Sequence, residues 1–331
     1  MPTISDVAKR SGLSKSTVSR VLNNYPHVSE EKKERVQKAM AELEYTPNPS
    51  ARKMRGALTT TIGVVVTRIV NPFFSYLVNA IEQVAYEQGY QVVVFQSNED
   101  QEKELSFLQL MQHKQLDGII MASIENDEEV IETYLAYGPI VFVNEYIQHM
   151  NTVPSVRINH IAAAYEGVMH LLNQGHRRIA YCTGGLFEQQ GQSDDRNIGY
   201  KKALAEKGIE VDPQFVFVNK HTIEDGESVG RAIFQMKEQP TAVFTGSDEV
   251  AAGVIAAAHE LNQRVPEDLA VVGFDDQPIA KITYPKLTTI KQPVDDMGRL
   301  AANLMIEALN GTTPTENETV LETKFVERDT T

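Results

Sequence analysis

One cysteine, Cys182, is all the thiol chemistry the 331 residues possess. That excludes an internal disulfide framework and fits a reducing cytoplasm. Its place after Arg178-Ile179-Ala180-Tyr181 reads as a small buried hydrophobe in a strand rather than a reactive thiol. No run of about 18 apolar residues occurs, and Met1 to Lys9 lacks a signal-peptide apolar region; neither a membrane partner nor export is expected. No GxGxxG follows the first strand-like run, and no P-loop or GxSxG is present, so dinucleotide, nucleotide and acyl-transfer chemistries lack their cradles. The eight histidines show no HxxxH or other ligand spacing, so no metal site or other cofactor is indicated. Adjacent Asp275-Asp276 has no second catalytic partner in view, and the chain reads as a non-enzyme.

What is present is an asymmetry of charge. The net charge is −14, yet residues 1–58 carry 11 Lys and Arg against 6 Asp and Glu, which leaves the remainder at −19. A small basic head on a large acidic body is expected when only the head meets phosphate.

The head reads as three short helices. Thr3 caps the first, with Asp6 three residues on in a capping-box pattern. Gly12-Leu13 makes a tight turn in which Gly12 is free to take positive φ. Ser14 caps a second helix, Lys15 to Asn23, on which Thr17, Val18, Val21 and Leu22 form an inward stripe. Lys15, Ser16, Ser19, Arg20 and Asn23 form another stripe roughly 200° around the axis, almost wholly hydrogen-bonding and doubly cationic. That is the chemistry a major groove demands, where base edges offer donors and acceptors. A solvated amphipathic helix is the bland alternative for either helix alone; two joined through Gly12 favour a DNA reader. Ser29 caps a third helix, with Glu30-Glu31 in its first turn and Val36, Ala39, Met40 and Leu43 facing in.

Thr46-Pro47-Asn48-Pro49 breaks that helix. Asn48 can cap a short segment, Ser50 to Arg55, closed by Gly56. About seven residues are too few for a stable isolated helix. With Ala51 and Met54 on one face and Arg52, Lys53 and Arg55 cationic, the segment reads either as a basic linker or as a helix that forms on DNA and wedges the minor groove.

From Thr61 short apolar runs alternate with amphipathic stretches. Residues 62–66, 91–95, 118–121 and 140–143 suit parallel strands buried on both faces, and Tyr76 to Glu87 has helical spacing. The alternation restarts after Val156, with strands at 178–182, 215–218, 242–244 and 269–272. The fold class is therefore α/β: an all-α helix-turn-helix head plus two doubly wound parallel-sheet lobes, with ligand between them at the strands' carboxyl ends.

Thr3-Ile4-Ser5-Asp6-Val7-Ala8, Gly12-Leu13-Ser14, Thr17 to Asn23, and Tyr45-Thr46-Pro47-Asn48 closely resemble the head of the lactose/galactose repressor (LacI/GalR) family. Asn71-Pro72-Phe73-Phe74, Asp117-Gly118-Ile119-Ile120, residues 175–180, Gly246-Ser247-Asp248-Glu249, residues 272–276 and Leu287-Thr288-Thr289-Ile290 extend the resemblance over essentially the whole chain. It implies a cytoplasmic, dimeric transcription regulator, commonly a repressor of carbohydrate-utilisation genes, on a pseudo-palindromic operator. Its domains would be a helix-turn-helix over 1–46, a hinge over 47–58 and a periplasmic-binding-protein-like body over 59–331. The body's N-lobe would take about 60–159 and 292–320, and its C-lobe about 161–290 and 321–331.

Base-reading positions fall by resemblance on Lys15, Ser16 and Arg20. Ser5, Thr17, Asn23, His27, Tyr45 and Asn48 take supporting or phosphate roles, and Met54 stands at a wedge position that is usually leucine. The effector, a sugar or sugar phosphate with a nucleobase as alternative, would meet Phe73, Phe74, Asn144, Arg196, His221, Ser247, Asp248 and Asp275. Asn144 stands where an acidic residue is common, and Asn159 replaces a frequent aspartate at the interlobe crossing. A regulator driven by a partner protein and a solute-binding protein of the two-lobed type are the competing readings. The final residues carry no leucine heptads, which favours a dimer over a tetramer.

Overall fold

The structure, a computed structural model, describes residues 2–22, 25, 27–45, 59–185, 187, 192–312 and 317–331. The expectations for Asn23, Asn48, Ala51 and Met54 lie outside these residues. The chain divides into two units, Met1–Thr59 and Thr60–Thr331.

In the first unit, α1 (Ile4–Ser11) starts where Thr3 donates its backbone N–H and its hydroxyl to the Asp6 carboxylate, at 2.9 and 2.7 Å. These donations hold the Asp6 carboxyl below the usual range. The helix ends at Gly12, whose φ of 67° is the left-handed turn that frees the chain for α2 (Lys15–Leu22). In α3 (Glu30–Glu42), Ser29 occupies the N-cap position in extended conformation, but its side chain makes no capping hydrogen bond. Glu30 and Glu31 still place negative charge against that helix's positive end. Val7, Val18 and Val36 are fully buried where the three helices meet. The Arg35 guanidinium donates to the Ser11 carbonyl at 2.8 Å, tying α3 to the end of α1.

The second unit holds two sheets of one plan. The first contains β1 (Thr61–Val66), β2 (Gln91–Gln96), β3 (Gly118–Met121), β4 (Ile140–Val143), β5 (Ser155–Ile158) and β11 (Glu318–Leu321), in the order β2-β1-β3-β4-β5-β11. The second contains β6 (Ile179–Cys182), β7 (Val216–Phe217), β8 (Ala242–Thr245), β9 (Ala270–Asp275), β10 (Thr288–Lys291) and β12 (Lys324–Val326), in the order β7-β6-β8-β9-β10-β12. Among the described residues every pairing is parallel except β10 with β12. An antiparallel strand at the rim of a parallel sheet is common, since an edge needs no crossover on its outer side.

Helices α4 (Pro72–Glu87), α5 (Gln101–Gln112), α6 (Glu128–Tyr134) and α12 (Val294–Leu309) accompany the first sheet. The second is accompanied by α7 (His160–Asn173), α8 (Gln192–Glu206), α9 (Ile223–Gln235), α10 (Asp248–Glu260) and the short α11 (Ile279–Ile282). The chain passes between lobes after β5 at Asn159, after β10 at Gln292-Pro293, and between β11 and β12.

The central strands are buried on both faces, as at Ile119, Ile120, Val141 and Val143. β2 differs from that expectation. It is an edge strand, and Val93 and Val94 are 40% and 38% exposed, because an apolar run marks a strand without saying whether both sides are covered. Helices α9 and α10 pack at backbone distance: a Cβ on Gly226 would collide with the Val250 carbonyl, and one on Gly253 with the Ile223 carbonyl.

Candidate functional site

On α2 the periodicity sorts the side chains into two faces. Val18 and Val21 are buried, while Lys15, Ser16 and Arg20 are exposed and Thr17 and Ser19 half-buried. The Ser14 hydroxyl accepts from the Thr17 amide at 3.1 Å and shares hydrogen bonds of 2.8 Å with the hydroxyls of Ser16 and Thr17. This satisfies the start of α2 and leaves Lys15 and Arg20 as its protruding donors. Ser5 lies half-buried in the first turn of α1. His27 is exposed, and Tyr45 is half-buried against the head's core.

In the body, a cleft of about 1190 Å³ opens between the lobes. Most of its wall comes from segments just beyond strand carboxyl ends: Thr67 and Arg68 after β1, Glu99 to Glu102 after β2, Ile124 and Glu125 after β3, and Asn144 and Glu145 after β4. Opposite stand Thr183 to Gly185 after β6, Asn219 to Glu224 after β7, and Gly246 and Ser247 after β8. In doubly wound sheets a crevice forms there because the strand order reverses beside the first strand and the loops part. Non-glycine residues with left-handed φ collect in the same places: Asn98, Glu99, Asn144, Asn219, Asp275 and Asp276. Asn144, at φ 66°, is a residue type that tolerates this conformation well.

Five expected effector positions line the cleft: Phe74, Asn144, Arg196, His221 and Ser247. Arg196 donates to the Gly246 carbonyl at 2.8 Å and lies 4.9 Å over the Phe274 ring, which fixes its guanidinium between two strands of the second lobe. Nε2 of His221 faces Oε1 of Glu99 across the cleft at 3.5 Å, and Arg68 reaches the same oxygen at 3.2 Å. Burial, and then Arg68, push the His221 pKa down to about 4, so the ring is neutral at pH 7. Gln277 to Asn71 and Tyr146 to Asp195, each at 3.4 Å, also join the lobes.

Three expected positions are placed elsewhere. Phe73 turns away from the cleft into the core of the first lobe, 6% exposed, and meets Phe74 edge-on with ring centres 5.3 Å apart. Asp248 is fully buried; it accepts from the Thr289 hydroxyl and the Gln277 amide, both at 2.6 Å, and acts as a strut. Its carboxyl is driven well above the ordinary range by burial and then by Asp275. Asp275 is clamped by the side-chain amides of Gln292 and Gln277, at 2.7 and 3.0 Å, and does not line the cleft. Burial raises it to about 7 against the pull of Arg196. Buried carboxylates need such partners, which the sequence motif alone did not reveal.

Sequence reasoning missed Glu125 and Glu145. The Glu125 carboxylate accepts from the hydroxyls of Ser97 and Ser123, and Glu145 accepts from the Ile124 amide at 3.0 Å. Burial, and then Glu125, push Glu145 up to about 8. The available signal was their position, just after the apolar runs ending at Met121 and Val143.

A helix-turn-helix unit and a two-lobed sensing unit in one chain define a DNA-binding transcription regulator. Bacterial regulatory proteins of the lacI family match residues 3–48, and the periplasmic binding protein-like domain matches residues 168–331. The NTD biosynthesis operon regulator NtdR of Bacillus subtilis is 41% identical over 100% of both chains. A LacI family regulator from Lactobacillus casei with bound sucrose superposes with TM-score 0.77 at 34% identity, covering 82% of this chain and 99% of that one. The lac repressor dimer bound to operator and the anti-inducer ONPF gives TM-score 0.81 at 28% identity, over 99% and 98%. This chain belongs to the LacI family. Among its described residues no helix is long and apolar enough to cross a membrane.

Proposed function

We propose that the protein is a cytoplasmic, homodimeric repressor of carbohydrate-utilisation genes, bound to a pseudo-palindromic operator and released or retained by a small hydroxylated effector in the interlobe cleft. The observation that carries this reading is the pairing of a polar, cationic face on α2 with a polar cleft held between two lobes. Lys15, Ser16 and Arg20 would read base edges in the major groove, with Ser5, Ser14, Thr17, Ser19, Asn23, His27, Tyr45 and Asn48 supporting or gripping phosphate and Ala51 and Met54 wedging the minor groove. One head reads a half-site, so two copies are needed to read both halves of the operator. The operator-bound dimer among the structural neighbours supports this assembly, and the sucrose-bound neighbour supports a sugar-like effector.

In the cleft, Phe74 offers an apolar wall while Asn144, Arg196, His221 and Ser247 offer directed polar contacts. An effector that prefers one spacing of the lobes shifts the His221–Glu99, Gln277–Asn71 and Tyr146–Asp195 contacts, and acts on DNA affinity by the difference in its affinity for the two states. The chain performs no catalysis in this reading. Selection of bound duplexes from random DNA tests it: a two-fold symmetric consensus, whose affinity changes with a cleft ligand, is expected. Enrichment of no consensus would refute it.

A further inference from the structure

The cleft's charge is lopsided. Among the described residues, eight carboxylates line it against three Lys or Arg side chains. Those cations are already engaged: Arg68 with Glu99 at 3.2 Å, Lys220 with Asp225 at 3.9 Å, and Arg196 with the Gly246 carbonyl and the Phe274 ring. On the first lobe's side, Glu125 and Glu145 face the cavity from the ends of β3 and β4. Among the described residues, neither forms an ion pair with a Lys, Arg or His, and a third carboxylate, that of Glu104, lies fully buried beside them.

From this arrangement, and resting on the cleft being the effector site, we infer that the effector is a polyhydroxylated amine of the aminosugar class, its ammonium seated between Glu125 and Glu145. The cavity and the directed polar contacts of the second lobe define the site; the carboxylates select the charge of what enters it. A phosphorylated sugar would bring negative charge into a negative, partly desolvated pocket, where like charges repel more strongly than in water. A neutral sugar would leave the Glu125 carboxylate with hydroxyl donors alone. An ammonium supplies the missing charge and N–H donors for both carboxylates, while its hydroxyls meet Asn144 and Arg196 as any sugar's would. Burial and the neighbouring carboxylates of Glu125 and Glu104 raise the Glu145 carboxyl against the pull of Arg196, and ammonium binding would draw its proton off.

The test is calorimetric titration of the full chain at pH 7 with paired probes: glucosamine and glucose, galactosamine and galactose, the glucosamine disaccharide and cellobiose, and glucose 6-phosphate. At least one amine is expected to bind tenfold or more tighter than its neutral partner. Its heat should vary with the buffer's ionisation enthalpy as a proton is released. Glu125→Gln and Glu145→Gln should each weaken the amine at least tenfold, leave any binding by the neutral partner within about twofold, and leave the unfolding temperature no lower. Parity between partners, preference for the neutral or phosphorylated sugar, no binding by any amine, or amine binding indifferent to both substitutions would overturn the inference. A neutral or phosphorylated sugar that binds more tightly than every amine and alters operator affinity would do so while leaving the cleft reading intact. A ligand that binds without any effect on operator affinity would instead sink that reading.

Discussion

Replacing Arg20 with alanine should remove sequence preference while sparing the fold. Arg20 projects from the exposed face of α2, opposite the buried Val18 and Val21, so no core volume is removed. Arginine and alanine also differ little in helix propensity, and the cost to stability should stay within about 0.5 kcal/mol. A bidentate arginine contact to guanine contributes about 1–3 kcal/mol of discrimination. Two half-sites double that to about 2–6 kcal/mol, or a loss of operator affinity from roughly 30-fold to beyond 10⁴-fold. Fluorescence anisotropy on the selected operator and on a scrambled duplex, at matched salt, separates the causes. Operator affinity should collapse toward the scrambled value, which itself should fall only modestly. An unchanged ratio of the two affinities would refute the assignment of Arg20 to base reading, even if both weakened together. Such parallel weakening would mark a phosphate contact.

Lys15→Ala should weaken operator binding by about 1–3 kcal/mol per half-site while weakening a scrambled duplex much less, measured at matched salt; equal weakening of both would refute its base-reading role. Gly253→Ala should lower stability by about 1–3 kcal/mol or more in urea unfolding, because the new Cβ drives α10 away from the Ile223 carbonyl. Neutral unfolding energetics there would contradict the backbone-distance packing of α9 and α10. Glu145 is raised from 4.5 to about 8 in the folded state, so the fold holds more protons than the unfolded chain between those values and loses stability as pH rises through them. Glu145→Gln should therefore gain in unfolding temperature over the parent at pH 8 and show little difference at pH 4.5. An equal difference at both pH values would argue that the carboxyl titrates normally.

Periodicity made the head legible almost to the residue. The capping pattern of Thr3 and Asp6, the turn at Gly12 and the inward stripe of Val18 and Val21 are local properties, decided within one or two helical turns. The βα alternation likewise exposed two doubly wound lobes, because strands buried on both faces must be apolar runs. What local pattern could not supply was partnership across the chain. The antiparallel β12 pairs with β10 more than 30 residues before it, and the exposure of β2 follows from having a neighbour on one side only. The same limit explains the cleft. Asp248 looks like a ligand-facing acid until Thr289 and Gln277 are seen to consume it, and Phe73 and Phe74 are indistinguishable until the start of α4 turns one inward. Glu125 and Glu145 sit 20 residues apart and become a pair only because β3 and β4 are neighbours in the sheet.

Coupling between occupancy of the cleft and grip on DNA is the central expectation for this protein. Operator affinity should be measured with and without a saturating ligand from the titration panel, for the parent chain and for Arg196→Ala, whose cleft lacks the guanidinium on Gly246. The parent should shift by about 5- to 150-fold, the range of coupling energies of 1–3 kcal/mol. Arg196→Ala should bind operator normally, bind ligand weakly and show no shift at the same concentration. A parent that binds ligand with no change in operator affinity, or an Arg196→Ala variant that shifts as fully as the parent, would contradict it.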